Sequence, residues 1–386
     1  MKHVKRLPYL IRLVIIGAVG LATISLFIGS GSDLVQIWFA NLFPSDNVLV
    51  AKVVSVQEAT AGVDPATAWL DTVGIKFLTG SGRGQQTIIH DRGLSTADPA
   101  QRVRVGETII VAKNTDYQGD AYYMTDRYRL PALAILALIF VLAVLILGGV
   151  RGFTSLLGLS ASMAVLFFFV VPNILGGHDP LFISFVGAVI IAVISLYLAH
   201  GFNRRTTIAL AGTLITLGIA LGLTIGFTSF AGLLGLSTEA GFYLRLNIGT
   251  LNLRGLLLAG IIIGMLGVLD DVTVGQATTV EEIKRADPKL GFAELYRRGL
   301  TVGREHIASL VNTLVLAYAG VALPLFLLLI VQAQNNIAPL WLTVNSEPIA
   351  EEIVRTLVGS LALVCAVPIT TLLAAYCYGK AKVSRW

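Results

Sequence analysis

The sequence contains little cysteine and little charge. Only 2 of its 386 residues are cysteine and 13% are Asp, Glu, Lys or Arg, about half the charged share of ordinary soluble domains. Cys365 and Cys377 lie in one apolar stretch, about 18 Å apart along a helix, which is too far for a disulfide between them. Their spacing is not typical of a metal site either. Because 55% of the residues are hydrophobic, the composition also excludes a soluble enzyme, a disordered chain and a nucleic-acid-binding protein.

Short signatures of catalysis are missing too. The sequence has no H-E-x-x-H, no G-x-S-x-G and no P-loop, which mark zinc proteases, serine hydrolases and nucleotide hydrolases. An intramembrane aspartyl protease needs carboxylates on two helices that share one site. Asp270 and Asp271 are adjacent in one apolar run, and no other run supplies a matching aspartate. We therefore predict a protein that is not an enzyme and that needs no cofactor.

Long apolar runs are the main feature that the sequence does have. A helix needs about 17–25 apolar residues to cross the hydrocarbon core of a bilayer. Eight runs meet this requirement, at 9–29, 130–150, 154–172, 181–199, 207–235, 255–275, 307–331 and 353–377. The pattern predicts an all-α polytopic membrane protein of about eight transmembrane helices, with the lipid bilayer as its first partner.

The placement of basic residues predicts the orientation of these helices. The first run follows a basic segment and has no A-x-A-like end, so we interpret 1–32 as a cytoplasmic N-terminus with a retained signal anchor. A cleaved signal peptide is the alternative. The short loops that would then be cytoplasmic hold many lysines and arginines, whereas the short outer loops hold Arg245 and Arg254. Basic residues favour the cytoplasmic side, so both termini are predicted to be cytoplasmic.

The segment 33–129 differs from the rest of the chain. Strand-like residues recur at 48–56, 73–78, 87–89 and 107–112, and the glycine-rich stretch 79–84 indicates a hairpin turn. Four or five such strands predict a small extracytoplasmic β-rich domain of the OB type between the first and second helices. This domain either stabilises the protein or captures a ligand. The remaining residues, 130–386, would form a seven-helix membrane domain with a cytoplasmic loop at 276–305.

Two adjacent carboxylates, Asp270 and Asp271, lie at the end of the sixth run. An aspartate within a bilayer costs about 2.5–3.5 kcal/mol on insertion scales, so it normally faces the protein interior or water. Asp271 shares one helical stripe with Thr278. Because carboxylate and hydroxyl oxygens suit hard cations, we predict that this run binds a cation or a proton, with Asp271 and Asp270 as candidate metal ligands. The alternative is a structural role, as a helix cap or an interhelical hydrogen bond.

The seventh run offers polar partners for these acids. His306, Ser309 and Thr313 lie close to one face of the predicted helix, with Asn312 beside them. An amide within an apolar run must find a hydrogen-bond partner, and consecutive helices are usually neighbours. Asn312 would orient an aspartate or add a carbonyl ligand, or it would only hold two helices together. His306, and His200 at the end of the fourth run, are candidate proton relays, although the basic loop around His200 also fits a topological role.

Three groups of residues resemble a known family. They are the stretch from Gly264 through Asp270, Asp271, Val272 and Thr273 to Glu282; Gly303-Arg304-Glu305-His306 with Asn312-Thr313 and the apolar run to Gly320; and Arg204-Arg205-Thr206-Thr207 with Gly212-Thr213. Here, and over roughly 128–331, the chain is similar to the YibE/F-like family of bacterial multi-spanning membrane proteins. The resemblance implies an eight-helix protein of the bacterial cytoplasmic (inner) membrane, and it suggests transport. The family's Asp-Val pair falls on Asp271-Val272, which places Asp271 ahead of Asp270 as the functional residue.

Together these features predict a secondary carrier or permease for a small cation, with a divalent metal among the candidates and with coupling to protons. Asp271 would bind the ion, Asn312 would orient it, and His306 or His200 would pass protons to the cytoplasm. The alternative is a non-transporting scaffold or envelope-assembly protein whose extracytoplasmic domain binds a partner. A homo-oligomer is compatible with both functions, and neither involves nucleic acid.

Overall fold

A computed structural model describes residues 47–57, 71–80, 82–91, 103–116, 119–237, 239–335 and 339–380. The predicted first span at 9–29, and with it the choice between a signal anchor and a cleaved signal, lies outside these residues. The described chain divides into two compact units, one ending at Ala143 and one beginning at Val144. The division falls inside a long helix, and each unit has its own buried core.

An antiparallel sheet forms the core of the first unit. Its strands are β1 (Val48–Gln57), β2 (Asp71–Phe77), β3 (Gln86–Asp91), β4 (Thr108–Asp116) and β5 (Gly119–Arg127), in the order β3-β2-β1-β4-β5. Alternate residues point to one side of the sheet, where Ile75, Ile109 and Val111 are fully buried. The predicted strands are thereby confirmed, as is the turn that joins β2 to β3, and β5 is added to them.

The sheet is curled. Register shifts occur between Val53 and Ser55 on β1 and between Ile110 and Val111 on β4, and such bulges increase local twist. β3 and β5 stand at opposite ends of the hydrogen-bonded order, yet their Cα atoms come within 8 Å of each other. The strands therefore wrap around their buried side chains.

Helices make up the rest of the described chain. They are α1 (Leu130–Leu175), α2 (Pro180–His200), α3 (Arg204–Phe230), α4 (Glu239–Asn247), α5 (Leu253–Ala286), α6 (Phe292–Val321), α7 (Leu323–Gln334), α8 (Leu340–Val344) and α9 (Glu347–Gly379). Within the described residues, α1, α2, α3, α5 and α9 are long and apolar enough to cross a membrane, and α6 with α7 forms a sixth candidate that is bent by 65°. The chain is thus a helix-rich membrane protein with an N-terminal antiparallel sheet.

α1 is broken at Gly149, where φ is 54° and ψ is −133°. A Cβ atom built on Gly152 would collide with the Val144 carbonyl oxygen, although residues eight apart in a straight helix are separated by about 12 Å. The chain therefore turns sharply at this point, between the runs 130–150 and 154–172 that were predicted as separate spans. Glycine adopts this backbone conformation far more readily than other residues.

α3, α5 and α9 pack against one another at the centre of the helical unit. Leu217 on α3, Leu269 on α5 and Leu363 on α9 are buried in the same cluster. α2 packs on α5, and α6 packs on α9 and α5. Asn203 and Asn252 cap α3 and α5, each accepting a backbone N–H at 2.8 and 2.9 Å. These caps fix where the two helices begin, and so the level at which their polar residues lie.

Candidate functional site

Asp270 and Asp271 follow each other on α5 but have different surroundings. Successive helical residues point about 100° apart, so the two carboxylates cannot face the same neighbour. Asp270 is half-buried and faces α3, whereas Asp271 is exposed in the described part of the chain. The geometry therefore places Asp270, rather than Asp271, among buried polar groups.

The Asp270 site consists of Asp270, Thr213 and Thr273. The Thr213 hydroxyl on α3 lies against the Asp270 carboxylate and is 2.8 Å from the Thr273 hydroxyl. Thr273 donates to the backbone carbonyl of Asp270 at 3.2 Å, and both threonines are fully buried. Oδ1 of Asp270 is also buried, and it has no hydrogen-bond partner among the described residues.

This unpartnered oxygen has a direct chemical consequence. An ionised carboxylate that is buried without enough partners is costly, and in a membrane each unsatisfied polar group costs several kcal/mol. A single proton or a single bound cation removes this cost, because it neutralises the charge and occupies the free oxygen. The Asp270 site is therefore suited to take up one positive charge.

A second polar contact lies about two turns further along α5. Gln276 donates through Nε2 to the Gly299 carbonyl on α6 at 2.8 Å and to the Thr371 hydroxyl on α9 at 2.7 Å. Gly303 allows α6 to come this close, since a Cβ atom built on it would lie 3.0 Å from Nε2 of Gln276. One buried side chain thus joins three helices.

Thr370 on α9 packs beside the Asp270 site. Its hydroxyl lies over Gly212, where an added Cβ atom would collide with it. This hydroxyl is buried and has no hydrogen-bond partner among the residues described. Because Gly212 immediately precedes Thr213, an unpartnered hydroxyl and the free carboxylate oxygen of Asp270 occur at neighbouring positions of the α3–α5–α9 core.

The polar residues predicted on the seventh span do not join the Asp270 site. Ser309, Asn312 and Thr313 are exposed in the described structure, and Thr313 donates to the Ser309 carbonyl of its own helix at 3.0 Å. His306 is exposed as well. α5 and α6 do pack together, but the side chains of α6 packed against the core are the apolar Leu300, Ile307, Leu310 and Leu314. The ion-binding roles of the polar α6 residues stay predictions.

The remaining predicted residues also lie apart from the Asp270 site. Thr278 is half-buried and donates to the Val274 carbonyl of its own helix at 2.7 Å. His200 is exposed at the end of α2, close enough to Asp271 for a Coulomb interaction. His200 and Asp271 therefore share one exposed surface, where a proton relay stays a prediction.

Comparison with known proteins identifies a family. The family model described as YibE/F-like protein matches residues 136–380, more than half of the chain. The chain belongs to the YibE/F-like family. The resemblance carried by three short motifs is thereby confirmed, and the match extends beyond 331 to the end of α9, so it contains the whole Asp270 site of this YibE/F-like protein. No curated protein and no solved structure was found to match the chain.

Sequence reasoning missed several polar residues of this YibE/F-like core. Thr213 entered only through the family resemblance, and Gln276 and Thr370 were not considered. A usable signal was present on α3, where buried threonines recur at positions that share one helical face. They are Thr213, Thr216, Thr224 and Thr228.

The donor set of the Asp270 site is small. Within the part of the chain that the structure describes, no group of three or more His, Cys, Asp or Glu could hold a metal ion. One carboxylate with two hydroxyls carries a single negative charge, which matches a proton or a monovalent cation better than a divalent metal. Metal binding by Asp270 and Asp271 together stays a prediction.

Proposed function

We propose that this YibE/F-like protein is a membrane carrier that moves protons or a small monovalent cation, and that Asp270 binds the transported charge. The observation that carries the proposal is the buried Oδ1 atom of Asp270, which lacks a hydrogen-bond partner among the described residues. Ionisable residues within membrane helices are functional by default, because placing them there is costly. The neighbouring Thr213 and Thr273 hydroxyls supply further oxygens for the same charge.

A comparison with Gln276 supports a functional role over a structural one. Gln276 is 4% exposed and uses its amide to bond two neighbouring helices, which is what an interhelical polar contact requires. Asp270 has the Thr213 hydroxyl beside its carboxylate but leaves one carboxylate oxygen without a partner in the described chain. A residue selected only to join helices would be expected to use both oxygens.

The helix count of eight is part of this proposal. α1 contains 46 residues, about 69 Å of helix, whereas the hydrocarbon core is about 30 Å thick. The break at Gly149 lies near its middle, so we infer that α1 crosses the membrane twice. With the predicted span at 9–29 and the bent α6–α7 pair, the protein would have eight crossings.

The basic residues support one orientation. Arg204 at the start of α3 donates to the Cys377 carbonyl near the end of α9 at 2.5 Å, and Arg205 lies 3.9 Å from Glu281 near the end of α5. These helix ends, together with Lys284 and Arg285, form what we call the basic end of the bundle. Basic residues favour the cytoplasmic side, so we infer that the basic end and both termini are cytoplasmic, in the inner membrane.

The sheet is consistent with an OB-type barrel. The strand order places β3 and β5 at its open edges, and their approach would close the five strands in the manner of that fold. In this orientation the barrel is extracytoplasmic, where it would stabilise the protein or bind a ligand.

Ion flux in proteoliposomes tests the proposed function. Proton, Na⁺ and K⁺ gradients would be imposed separately on the reconstituted full-length protein, with flux followed by pH- and cation-sensitive dyes. Asp270→Asn keeps the size of the side chain but removes its titratable charge, so we expect flux to be lost. Asp271→Asn is the matched control on the same helix and should retain flux.

Two results would overturn this assignment. Flux that survives in Asp270→Asn but is lost in Asp271→Asn would move the site to Asp271, as the family pattern suggested. A folded wild-type protein without flux for any of these ions would overturn transport and favour the scaffold alternative.

A further inference from the structure

Acidic residues are concentrated at the end of the bundle opposite the basic end, in the first turns of α9. Glu347, Glu351 and Glu352 occur there with one basic residue, Arg355, whose guanidinium lies 2.9 Å from the Glu352 carboxylate. Glu351 is about 28 Å from Thr370 along the helix, so this group is far from the Asp270 site. The first turns of α9 therefore hold more negative than positive charge.

Two of these acids attach the segment 231–237, which follows α3, to α9. Oε1 of Glu347 accepts the backbone N–H groups of Leu234 and Gly235 at 2.5 and 3.0 Å. The Ser237 hydroxyl donates to Oε2 of Glu351. The segment is thus held at two points, one helical turn apart on α9.

Glu351 is almost completely buried, with 3% of its surface exposed. Its second oxygen, Oε1, is buried and has no hydrogen-bond partner among the described residues. Arg355 contacts Glu352 through Nη1 at 2.9 Å, and its buried Nε has no hydrogen-bond partner among the described residues. An ionised carboxylate in this position would be costly, because Arg355 acts on Glu351 only through space and donates no hydrogen bond to its Oε1.

A cavity lies on the other face of α9 from Glu351, beside Ile349, Glu352 and Ile353. It has a volume of about 180 Å³ at the bend between α6 and α7, its lining is almost entirely apolar, and Glu352 is the acid that lines it. Oε2 of Glu352 is also buried without a hydrogen-bond partner in the described chain. A cavity of this size exceeds the space that one water molecule needs, about 10–15 Å³ on the same measure. The apolar lining gives water few partners there, and the cavity does not reach Glu351 itself.

We propose that Glu351 is a second proton-binding site, which exchanges protons with the solution at the end of the bundle opposite the basic end. This inference rests on the proposed function, since it names where protons would enter the carrier. A proton bound to Oε1 neutralises the carboxylate and lets Glu351 stay packed against Ser237. When that proton leaves, the Ser237 hydroxyl still donates to Oε2, but Oε1 then requires water or a cation to offset the buried charge.

The charged groups that act on Glu351 lie on its own helix, and they are Glu347, Glu352 and Arg355. From α6, Tyr318 lies near the Glu352–Arg355 pair. The segment 231–237 contributes no charged residue. On α5, Arg254 donates through Nη2 to the Ser229 hydroxyl at 2.5 Å, and its Nε has no hydrogen-bond partner among the described residues. Among these groups, Arg355 is the cation that acts on Glu351, and its direct ion pair is with Glu352.

Buried hydroxyls lie at intermediate levels between the two acids. Thr224 on α3 and Ser360 on α9 are buried, and the Ser360 hydroxyl has no hydrogen-bond partner in the described structure. Such groups can bond water or a passing proton. Asp270 and Glu351 would therefore serve opposite ends of one α3–α5–α9 core.

Infrared difference spectroscopy tests proton binding without requiring transport. The full-length protein would be titrated with acid and base in lipid vesicles, in H₂O and in D₂O, and the C=O band of protonated carboxylic acids followed. Glu351→Gln keeps the shape of the side chain and its acceptor for Ser237, and we expect it to remove one component of this band. Glu347→Gln, one turn away, is the matched control and should leave that component in place.

An unchanged carboxylic-acid band in Glu351→Gln at every pH would overturn the inference. The same spectra decide this point even if the wild-type protein shows no ion flux, so failure of the proposed function and failure of the Glu351 site are distinguishable.

Flux as a function of pH on each side tests the link to transport. We expect Glu351→Gln to lose the dependence of flux on the pH at the end opposite the basic end, and Glu347→Gln to keep it. Retention of the wild-type pH dependence in Glu351→Gln would overturn the role of Glu351 in proton entry.

Discussion

The buried polar residues of the helical unit differ in whether their hydrogen-bonding atoms all have partners. Gln276 donates to two neighbouring helices and has a structural role. Asp270 and Glu351 each retain a buried oxygen that lacks a hydrogen-bond partner in the described chain. Glu352 also has such an oxygen, but its carboxylate is paired with Arg355. Because buried polar atoms in native proteins are nearly always bonded, a bound positive charge at Asp270 or Glu351 would raise stability.

The Thr213 hydroxyl provides the first prediction at this scale. Thr213→Val removes the hydroxyl beside Asp270 and nearly preserves the side-chain volume. We expect the free energy of unfolding to fall by about 1–2 kcal/mol, because a buried hydrogen-bonding group is lost, and we expect flux to fall with it. Thermal unfolding and proteoliposome flux would measure both effects. Thr213→Ser keeps the hydroxyl, so a loss of flux as large as in the valine variant would show that the hydroxyl is not what matters.

The sequence alone does not decide whether Asp270 or Asp271 is the buried acid. The sequence shows that an aspartate pair lies in a membrane helix, and it shows that the two side chains point about 100° apart. It does not show where α3 lies around α5, and this position decides which carboxylate meets Thr213. For the same reason the polar stripe around Asn312 was visible in the sequence, but its exposure in the described structure was not.

At the scale of helices and strands, most boundaries follow from hydrophobic pattern and turn residues. The predicted strand runs and the hairpin turn at 79–84 are present. Changes of direction were harder to predict, because hydropathy does not record them. α6 and α7 were predicted as one span at 307–331, yet they are bent by 65°, with Pro324 in the first turn of the new helix. The start of α9 was placed at 353, and Glu347 and Glu351 were therefore not examined as residues of that helix.

The break in α1 at Gly149 leads to a prediction for which the neighbouring Gly148 is the control. Gly149 has a positive φ of 54°, whereas its neighbour Gly148 does not, and neither has another atom within 4 Å of an added Cβ. Gly149→Ala should therefore lower stability by about 1–3 kcal/mol through backbone strain alone. Gly148→Ala should be close to neutral. Thermal unfolding of the two variants measures the difference, and equal midpoints would contradict the sharp turn at Gly149.

At the scale of the whole molecule, the bundle has two chemically different ends. The starts of α3 and α6 and the end of α5 carry arginines and lysines. The start of α9 carries Glu351, whose buried Oε1 has no hydrogen-bond partner among the described residues. The Asp270 site lies about 14 Å from the start of α3, nearer the basic end. A carrier that binds protons in succession at Asp270 and Glu351 would need the two sites to lie near opposite ends of the bundle. Each site could then exchange protons with the solution on one side of the membrane.

The sidedness of the molecule can be measured by labelling single cysteines. Cys365 and Cys377 are half-buried in α9 and would first be replaced by alanine. Arg83→Cys lies in the turn between β2 and β3, and Lys289→Cys lies between α5 and α6, and both positions are exposed. We expect a membrane-impermeant maleimide to label Arg83→Cys in intact spheroplasts, and to label Lys289→Cys only after permeabilisation.

This experiment also counts the crossings of α1, since the two positions lie on opposite sides only if α1 crosses the membrane twice. Labelling of both cysteines in intact spheroplasts would mean that α1 crosses once, and that the break at Gly149 is a kink within one span. Labelling of Lys289→Cys alone would reverse the orientation and place Glu351 at the cytoplasmic face, where it would exchange protons with the cytoplasm instead.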